Sequence, residues 1–579
     1  MTEHGPTLTI SKEIHAMKYR GKGETFKQAM VRVADALKDS EEHYHAFKEI
    51  LLDMRFLPAG RVQAAMGSPK QVTPYNCFVS GTIKDSMDGI MSSAREAAET
   101  MRLGGGIGYD FSTLRPRGDL IRSLDSRSSG PISFMGIYDA ICKTIASAGH
   151  RRGAQMGVLR VDHPDIEEFI EAKANSTQLT QFNISVGVTD KFMEAVKADA
   201  TFDLVFEGRV YKTIKAKALW DKILRLTWDW AEPGILFIDR MNRKNNLWYC
   251  ETIAATNPCG EQPLPPHGAC LLGSINLTKY ILDDTLYGPR FDYHQLTVDI
   301  PHIIRAMDNV VDRAIYPLPE QELEAKNKRR MGIGVTGVAN ALEACESPYG
   351  SEAFLKELSC IMELIRDEAY TASVELAKEK GPFPLFSPEL LDSEFAKTLP
   401  DDLRDNIRNH GLRNSHLLSV APTGTISLTA DNVSSGIEPV FSHAYDRTIQ
   451  TFDGPKVERV EDYGLRVFGI RGRTADSLSV FDHVEVLNTA SHYVDSACSK
   501  TCNVGDDVTW DQFKDVYMKA YEGGASGCTT FRALGKRYGI LVASKDEEVA
   551  EEIKIEEDNF IEEGGACYFD PTTGLRTCE

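Results

Sequence analysis

The segment richest in reactive groups is a loop at residues 257–270 that carries two thiols, a carboxyl group and an amide. Asn257, Cys259 and Glu261 lie within five residues, and Cys270 follows after prolines at positions 258, 263, 265 and 266. Proline fixes its backbone angle and lacks an N–H donor, so this run excludes a helix or a central strand. In an extended backbone, residues i and i+2 point to one side. Cys259 and Glu261 are therefore expected to present a thiol and a carboxyl group together.

Two other interpretations of this loop stay open at this level. A cysteine hydrolase would use Cys259 as the nucleophile and His267 as the base, although residues eight positions apart in a proline-rich segment give no reason for a preformed pair. A plain connector is the second interpretation. A connector, however, has no need of a thiol and a carboxyl group at this spacing.

Two other segments are typical of close backbone approach or phosphate binding. They are the glycine run Gly104–Gly108 and residues 421–427, which contain Thr423, Thr425 and Ser427. Successive main-chain N–H groups in the second segment, flanked by hydroxyl groups, would suit a diphosphate. A tight turn is the alternative for each segment.

Three further motifs favour structural interpretations. Residues 332–337 match G-x-G-x-x-G, but no clear strand with an acidic residue follows, so close strand–helix packing is favoured over nicotinamide binding. His43 and His45 lie in a charged helical segment and are expected to be solvated. Cys498 and Cys502 lack the second pair that a tetrahedral metal site needs, which favours helical packing. We predict no metal site built from protein side chains.

The elements that must position these groups follow from periodicity. Residues 1–70 predict helices, and residues 71–543 predict one large α/β unit with a mainly parallel sheet. Expected strands include residues 183–189, 203–206 and 426–428; expected helices include residues 352–378 and 510–521. In residues 544–563, ten acidic residues and two lysines give a charge of −8, which predicts a mobile acidic tail over residues 544–579.

Composition excludes several classes of protein. The 579 residues include 65 basic and 85 acidic side chains, a net charge of −20 that argues against nucleic-acid binding. No apolar run is long enough for a membrane helix, and the first residues lack the pattern of a signal peptide. We therefore expect a cytoplasmic protein with no membrane partner, whose 12 cysteines are mostly thiols available for chemistry.

Several motifs, in one order, resemble those of the ribonucleotide reductase catalytic subunit. The similarity extends from about residue 50 to about residue 540, and its landmarks are Tyr75–Phe78, Gly104–Gly108, Arg151–Gly157, Asn257–Glu261, Gly268–Leu277, Ala421–Thr425 and Ser434–Pro439. The implied fold is a ten-stranded α/β barrel, made of two five-stranded halves around a central finger loop. The implied reaction converts ribonucleotides to 2′-deoxyribonucleotides.

The resemblance implies a role for each reactive residue. Cys259 would carry the thiyl radical that removes the ribose 3′-hydrogen, Glu261 would accept the 3′-hydroxyl proton, and Asn257 would hold the neighbouring hydroxyl group. Cys77 and Cys270 would supply two electrons and end as a disulfide. The substrate diphosphate would bind at Gly106, Pro422, Thr423, Gly424, Thr425 and Ile426.

The family pattern also implies regulation and a reductant. Asp85 and Arg115 are expected to contact a deoxynucleotide or ATP specificity effector, and Lys173 to Gln181 would form the loop that relays its identity. An N-terminal ATP cone is expected to be absent. Cys567 and Cys578 are eleven residues apart, with Pro571 and Gly574 favouring a turn between them, and would relay electrons from thioredoxin or glutaredoxin.

The source of the radical is predicted from residues 527–532. Family members that use a separate ferritin-like subunit need two adjacent tyrosines, whereas this segment contains Thr529, Thr530 and Phe531. It resembles the adenosylcobalamin-dependent class, which we therefore expect. A large subunit that needs a radical-generating partner is the alternative, and a catalytically inactive nucleotide-binding scaffold is another. The choice between diphosphate and triphosphate, and between monomer and homodimer, stays open.

Overall fold

The computed structural model describes residues 4–121, 124–148, 154–174, 178–284, 288–451, 454–505, 507–532, 567–569 and 576–578. Within these ranges, no helix has both the length and the apolar character needed to cross a membrane. The predicted acidic segment at residues 544–563 lies outside the described residues.

Helices account for much of the described chain, and most present one apolar face to the core. They are α1 (Thr9–Tyr19), α2 (Phe26–Leu37), α3 (Glu41–Leu52), α4 (Gly60–Ala65), α5 (Met87–Arg102), α6 (Pro131–Ala148), α7 (Ile166–Glu171), α8 (Asp190–Lys197), α9 (Ala216–Trp230), α10 (Ile238–Lys244), α11 (Tyr293–Arg313), α12 (Pro319–Lys328), α13 (Val338–Ala344), α14 (Glu352–Lys380), α15 (Asp401–His410), α16 (Gly424–Thr429), α17 (Val480–Ser491) and α18 (Trp510–Glu522).

The strands are short, and many are buried. They are β1 (Phe56–Pro58), β2 (Cys77–Val79), β3 (Gly106–Asp110), β4 (Leu120–Ile121), β5 (Ser126–Arg127), β6 (Gln155–Arg160), β7 (Phe182–Val188), β8 (Thr201–Phe206), β9 (Arg209–Lys215), β10 (Gly234–Phe237), β11 (Ala255–Thr256), β12 (Pro263–Leu264), β13 (Ala269–Cys270), β14 (Leu272–Asn276), β15 (Ile281–Asp284), β16 (Gly288–Phe291), β17 (Gly332–Thr336), β18 (Ala444–Thr451), β19 (Gly454–Glu461), β20 (Thr501–Val504), β21 (Gly527–Arg532), β22 (Cys567–Phe569) and β23 (Arg576–Cys578).

One group of strands forms a parallel sheet. β2, β3, β6, β7 and β10 pair in this order, and every pairing is parallel. β3, β6 and β7 are buried along nearly their whole length, as expected for a parallel sheet covered on both faces. The expected mainly parallel α/β unit is confirmed in this region.

A second group of segments runs antiparallel to the first. β14 pairs with β17 in parallel, single bridges join Ile333 to Leu418 and Val420 to Cys498, and β20 pairs with β21 in parallel. β10 and β21 join the two groups as an antiparallel pair. The described strands form an eight-stranded and a three-stranded sheet, besides several two-stranded ones, and none of these sheets closes on itself.

The N-terminal region belongs to the same core as the strands. A single cluster of buried apolar residues extends from Tyr19 in α1 to Cys528 in β21. The segment is not purely helical, because β1 pairs antiparallel with β14. The N-terminal helices therefore pack on the α/β unit rather than forming a separate layer.

Most predicted elements are found, with one clear exception. The expected helices at 352–378 and 510–521 correspond to α14 and α18, and the strands at 183–189 and 203–206 correspond to β7 and β8. Residues 426–428 were expected to form a strand but lie in helix α16. The β-propensity of these residues did not predict the helix. The hydroxyl groups of Thr423 and Ser427, four residues apart, are hydrogen-bonded at 2.9 Å across the first turn of the helix.

Candidate active site

The finger loop around Cys259 ends in a tight turn, which corrects the expectation of an extended backbone. Asn257 closes the turn, since its carbonyl oxygen accepts from Gly260 N at 3.1 Å and its Oδ1 accepts from Gln262 N at 3.0 Å. β11 and β12 pair on either side of it. Because the chain turns between them, Cys259 and Glu261 are not presented to one side by strand geometry.

Glycines in β3 let the finger loop approach the sheet. A Cβ built on Gly108 would stand 1.9 Å from the carbonyl oxygen of Thr256 in β11. At Gly106, a built Cβ would lie 3.2 Å from Cys77 Sγ and 3.4 Å from Pro258 Cγ. The glycine run therefore serves close backbone approach, one of the two roles expected from its sequence.

The two candidate reducing thiols are neighbours. Cys77 in β2 and Cys270 in β13 are directly paired across an antiparallel ladder, and both are buried thiols. Burial raises the pKa of the Cys270 thiol well above its usual value, and the nearby Glu261 and Cys77 raise it further. The structure thus brings Cys77, Cys270 and Glu261 together.

The other two finger-loop residues are buried beside them. Asn257 is fully buried, and its Nδ2 has no hydrogen-bond partner among the described residues, so one donor is left for a bound molecule. Cys259 is disulfide-bonded in this structure, whereas the nine other cysteines with described side chains are free thiols. Any radical chemistry at Cys259 therefore needs prior reduction of this disulfide.

A pocket that opens to solvent lies at the finger tip. Next to Cys259 the space is open, because a Cβ built on Gly260 would have only Leu236 Cδ2 at 4.0 Å. The lining combines apolar side chains, small residues and thiols: Met156, Ser185, Ile235, Leu236, Cys259, Gly260, Cys498, Ser499, Lys500, Gly527, Cys528 and Thr529.

The candidate phosphate segment, residues 422–426, forms a turn and the start of α16. Thr423 has a positive φ of 59° and precedes the helix, so a left-handed residue leads directly into helical ones. Its hydroxyl group accepts from Gly436 N at 2.7 Å and contacts Thr336 Oγ1 at 2.9 Å. The hydroxyl groups of Thr423 and Ser427 are therefore engaged inside the protein, which leaves the backbone amides as the principal donors of this segment.

The N-terminal helix α1 supports α16 from behind. Ser11 Oγ donates to Leu428 O at 2.6 Å, and Ile10 and Ile14 pack against Leu428. The carboxylate of Asp431 accepts from the backbone of the residues before α1, including Thr7 N at 2.7 Å. The position of the phosphate segment thus depends on the first 14 residues of the chain.

Gly106 lies at the dithiol, where it is paired with Cys77. Its amide donates to Asn76 O at 2.9 Å. That amide is already occupied by the fold, so any contact of Gly106 with the substrate would involve its Cα or its carbonyl group.

The candidate specificity residues fall in two places. Arg115 Nε donates to Asp85 Oδ2 at 2.6 Å, so these two half-buried side chains are neighbours. Lys173 instead pairs with Glu232 at 2.6 Å, and Gln181 N donates to Asp139 Oδ1 at 2.8 Å. Lys173 and Gln181 anchor the two ends of their loop, and residues 175–177 between them lie outside the described residues.

The two tail cysteines lie on short strands. β22 and β23 pair antiparallel with Cys567 directly opposite Cys578, and β23 runs beside α16 with Cα atoms within 8 Å. The backbone therefore brings the two positions together despite their spacing in the sequence.

The structural interpretations of three motifs need correction or refinement. His43 is buried, and it contacts His302 O at 3.1 Å rather than being solvated. Cys502 lies in β20, and Cys498 forms a single bridge with Val420 three residues before that strand, so neither lies in a helix. The glycine motif at 332–337 does serve close packing, but its strand β17 approaches the Ser419 segment rather than only a helix.

Sequence analysis did not identify several residues that line the cavity, because single residues in short strands form no recognisable motif. Ser185, Ser499, Lys500 and Cys528 come from strands and loops far apart in the chain and meet only in the folded protein. The one available signal was the run Cys498–Cys502, whose polar and ionisable residues are unusual next to a buried strand.

Comparison with known proteins identifies the family. Residues 75–531 match the ribonucleotide reductase barrel domain. The chain is 35% identical to a vitamin B12-dependent ribonucleoside-diphosphate reductase of Mycobacterium tuberculosis, over 90% of this chain and 78% of the relative. It is 33% identical to the protein of that name from Thermoplasma acidophilum, over 93% and 71%, and 29% identical to the ribonucleoside-diphosphate reductase large subunit of Vaccinia virus, over 65% and 53%. This chain belongs to the ribonucleotide reductase family.

Proposed function

We propose that this protein reduces ribonucleoside diphosphates to 2′-deoxyribonucleoside diphosphates and that it depends on adenosylcobalamin. The observation that carries this proposal is the meeting of a buried thiol pair, Cys77 and Cys270, with Glu261 under the finger loop. The names of the relatives from Mycobacterium and Thermoplasma support both the diphosphate substrate and the cofactor. We also propose that the five strands of the first group, together with the four strands and the bridged Leu418–Val420 segment of the second, form the ten-stranded barrel of the family.

In the proposed reaction at the sugar, five side chains have a role. The Cys259 thiyl radical removes the 3′-hydrogen, while Glu261 takes the 3′-hydroxyl proton and the free Nδ2 of Asn257 donates to the neighbouring hydroxyl oxygen. The 2′-hydroxyl leaves as water after a thiol of the Cys77–Cys270 pair donates a proton. The pair supplies two electrons and a second hydrogen, which is added at C2′, and it becomes a disulfide. Glu261 returns the proton to the 3′-oxygen, and Cys259 returns the hydrogen to C3′ and becomes a thiyl radical again. Each turnover therefore yields one deoxynucleotide, one water and one disulfide.

The raised pKa of the Cys270 thiol suits this role. A thiol that stays protonated at neutral pH is able to donate a proton to the departing hydroxyl group, whereas a thiolate is not. Burial of Cys259, Cys270 and Glu261 also excludes water, which protects a radical from side reactions.

We assign the pocket at the finger tip to the cofactor's reactive end, because it is lined by Cys259 and by apolar side chains. When bound, adenosylcobalamin supplies an organic radical through homolysis of its cobalt–carbon bond. Gly260 leaves room beside Cys259, and Met156 and Leu236 give the pocket an apolar wall. These residues would hold the group that exchanges a hydrogen atom with Cys259.

Two further nucleotide contacts are part of the proposal. The diphosphate binds at residues 422–426, where the left-handed Thr423 orients successive amides toward an anion. A deoxynucleotide effector binds near Asp85 and Arg115. Binding there requires the ion pair between these two residues to open or to share its charges with the effector.

The tail cysteines would reduce the active-site disulfide after each turnover. Cys77 and Cys270 are buried, so a folded reductant such as thioredoxin or glutaredoxin does not reach them directly. The pairing of Cys567 with Cys578 on strands beside α16 supports a relay between the exterior and the thiol pair.

Anaerobic turnover with CDP, adenosylcobalamin and a dithiol tests the proposal on the isolated protein, which is first reduced to free Cys259. We expect dCDP formation that requires adenosylcobalamin and no other protein. If adenosylcobalamin has no effect on turnover and a ferritin-like radical-generating subunit is needed instead, the cofactor assignment is refuted. That result would support the large-subunit alternative. Nucleotide binding without turnover under either condition would support a scaffold.

A further inference from the structure

A buried ion pair outside the reacting residues joins two parts of the active site. Lys500 Nζ lies 2.6 Å from Glu438 Oε2, and both side chains are almost fully shielded, with 0% and 7% of their surfaces exposed. Glu438 Oε1 also accepts from Thr501 N at 2.7 Å. Lys500 Nζ further contacts His483 Nδ1 at 3.1 Å and lies over the ring of Tyr349.

Each end of this pair belongs to a different functional region. Ser499 and Lys500 line the finger-tip cavity that contains Cys259. Glu438 ends the turn 434–438, and this turn holds the phosphate segment through the bond from Gly436 N to Thr423 Oγ1 at 2.7 Å. The carboxylate of Glu438 therefore lies between the substrate's phosphate segment and the cavity wall.

We propose that the Lys500–Glu438 pair is a positioning device that couples occupancy of the phosphate segment to the shape of the finger-tip cavity. This inference rests on the proposed function, because it assigns the substrate diphosphate to one region and adenosylcobalamin to the other. Neither residue contacts reacting atoms in this scheme. Both act through Thr423 on one side and through the Ser499–Thr501 wall on the other.

Stability alone gives no sufficient reason for such a pair. Removing two charges from water is costly, and buried ion pairs are often replaceable by uncharged groups of similar size without loss of stability. What the pair does provide is fixed geometry, since Glu438 holds both the Lys500 ammonium and the Thr501 amide. A rigid contact of this kind transmits a displacement of the turn 434–438 to the cavity wall.

The test compares cofactor affinity with and without substrate. Adenosylcobalamin binding to the full-length, pre-reduced protein is measured by equilibrium dialysis in the dark, without reductant, in the absence and presence of saturating CDP. We expect CDP to tighten cofactor binding by about fivefold or more in the unmodified protein, a typical coupling between two sites. In the Lys500→Met/Glu438→Gln double variant, this ratio should fall to near one.

The double variant keeps side-chain volume and removes both charges together, so it is expected to fold. Lys500→Met alone would leave Glu438 buried without its cation, and it serves as a stability comparison only. The matched control is Lys519→Met/Glu485→Gln, which makes the same change at a half-exposed pair with a 3.4 Å separation on α18 and α17. This control should keep the ratio of the unmodified protein.

The outcomes separate this inference from the proposed function. If CDP tightens cofactor binding equally in the folded double variant and in the unmodified protein, the coupling is overturned and the cofactor assignment stands. The same conclusion follows if the unmodified protein binds the cofactor but CDP does not change its affinity. Failure of the unmodified protein to bind adenosylcobalamin would instead refute the proposed function, and the coupling would fall with it.

Discussion

Gly108→Ala should disable the enzyme without touching a reacting residue. Gly108 lies in β3, where the sheet contacts the finger loop just before Asn257. A built Cβ would stand 1.9 Å from Thr256 O, whereas ordinary contacts begin at 3.4 Å. The clash is with backbone, so rotation of a side chain does not relieve it.

The size of the effect follows from the displacement required. The finger loop must retreat by about 1.5 Å, the difference between the two distances. Misplacing reacting groups by about 1 Å is able to cost on the order of a hundredfold in rate, so we expect kcat to fall by at least about a hundredfold. Overpacking should also lower the free energy of unfolding by about 1–3 kcal/mol.

Alanine substitutions at two other glycines serve as comparisons, because their expected clashes are smaller or absent. A Cβ on Gly106 would meet its neighbours at 3.2 to 3.4 Å, so Gly106→Ala should shift the loop by only a few tenths of an ångström and reduce kcat far less. Gly136 in α6 has no atom within 4 Å of a built Cβ, so Gly136→Ala should leave kcat unchanged and stabilise the helix by about 0.5–1 kcal/mol.

The assay is anaerobic dCDP formation by each pre-reduced variant with adenosylcobalamin and a dithiol, alongside thermal unfolding. A folded Gly108→Ala protein with the kcat of the unmodified enzyme would refute the argument that the close approach of β3 sets the position of Cys259.

Three further outcomes are expected. Ser11→Ala removes the 2.6 Å bond to the end of α16, so the KM for CDP should rise several-fold with kcat nearly unchanged; a change in kcat alone would contradict this. Replacing Cys567 or Cys578 by serine should slow thioredoxin-driven turnover while sparing a single turnover and dithiol-driven turnover; equal thioredoxin-driven rates would remove the relay role. Burial raises the pKa of Cys142 to about 12, whereas the usual thiol pKa is about 8.5. Above about pH 8.5 the Cys142 thiol therefore loses its proton more readily in the unfolded chain than in the folded protein. The free energy of unfolding should then fall by up to about 1.4 kcal/mol for each unit of rising pH. Cys142→Ala should weaken this alkaline loss in denaturant titrations, while replacement of the exposed Cys360 should not.

The candidate reacting residues could be named from sequence because their motifs resemble those of a known family. The proline-spaced loop around Cys259 and Glu261 has no simple structural use, and the structure places Cys77 and Cys270 as paired neighbours although they are far apart in the chain. Long amphipathic helices such as α14 were likewise predictable, since their periodicity repeats over many turns.

Local pattern failed where individual hydrogen bonds and packing contacts decide the backbone. The finger tip is a turn because Asn257 folds back on Gly260 and Gln262, which spacing alone does not reveal. Residues 426–428 are β-branched or apolar in part, yet contacts with Thr336 and α1 fix them in a helix. The role of Lys500 was invisible because Glu438 lies 62 residues away in the chain.

The most direct test of the radical assignment is dCDP formation by Cys259→Ser under anaerobic conditions with adenosylcobalamin and a dithiol, with CDP binding measured on the same sample. Serine is close in size to cysteine, so the finger loop should persist, but its O–H bond is too strong to form the radical. We predict that CDP binds with unchanged affinity and that no dCDP forms. Turnover by the Cys259→Ser protein would contradict the assignment of Cys259 as the radical carrier.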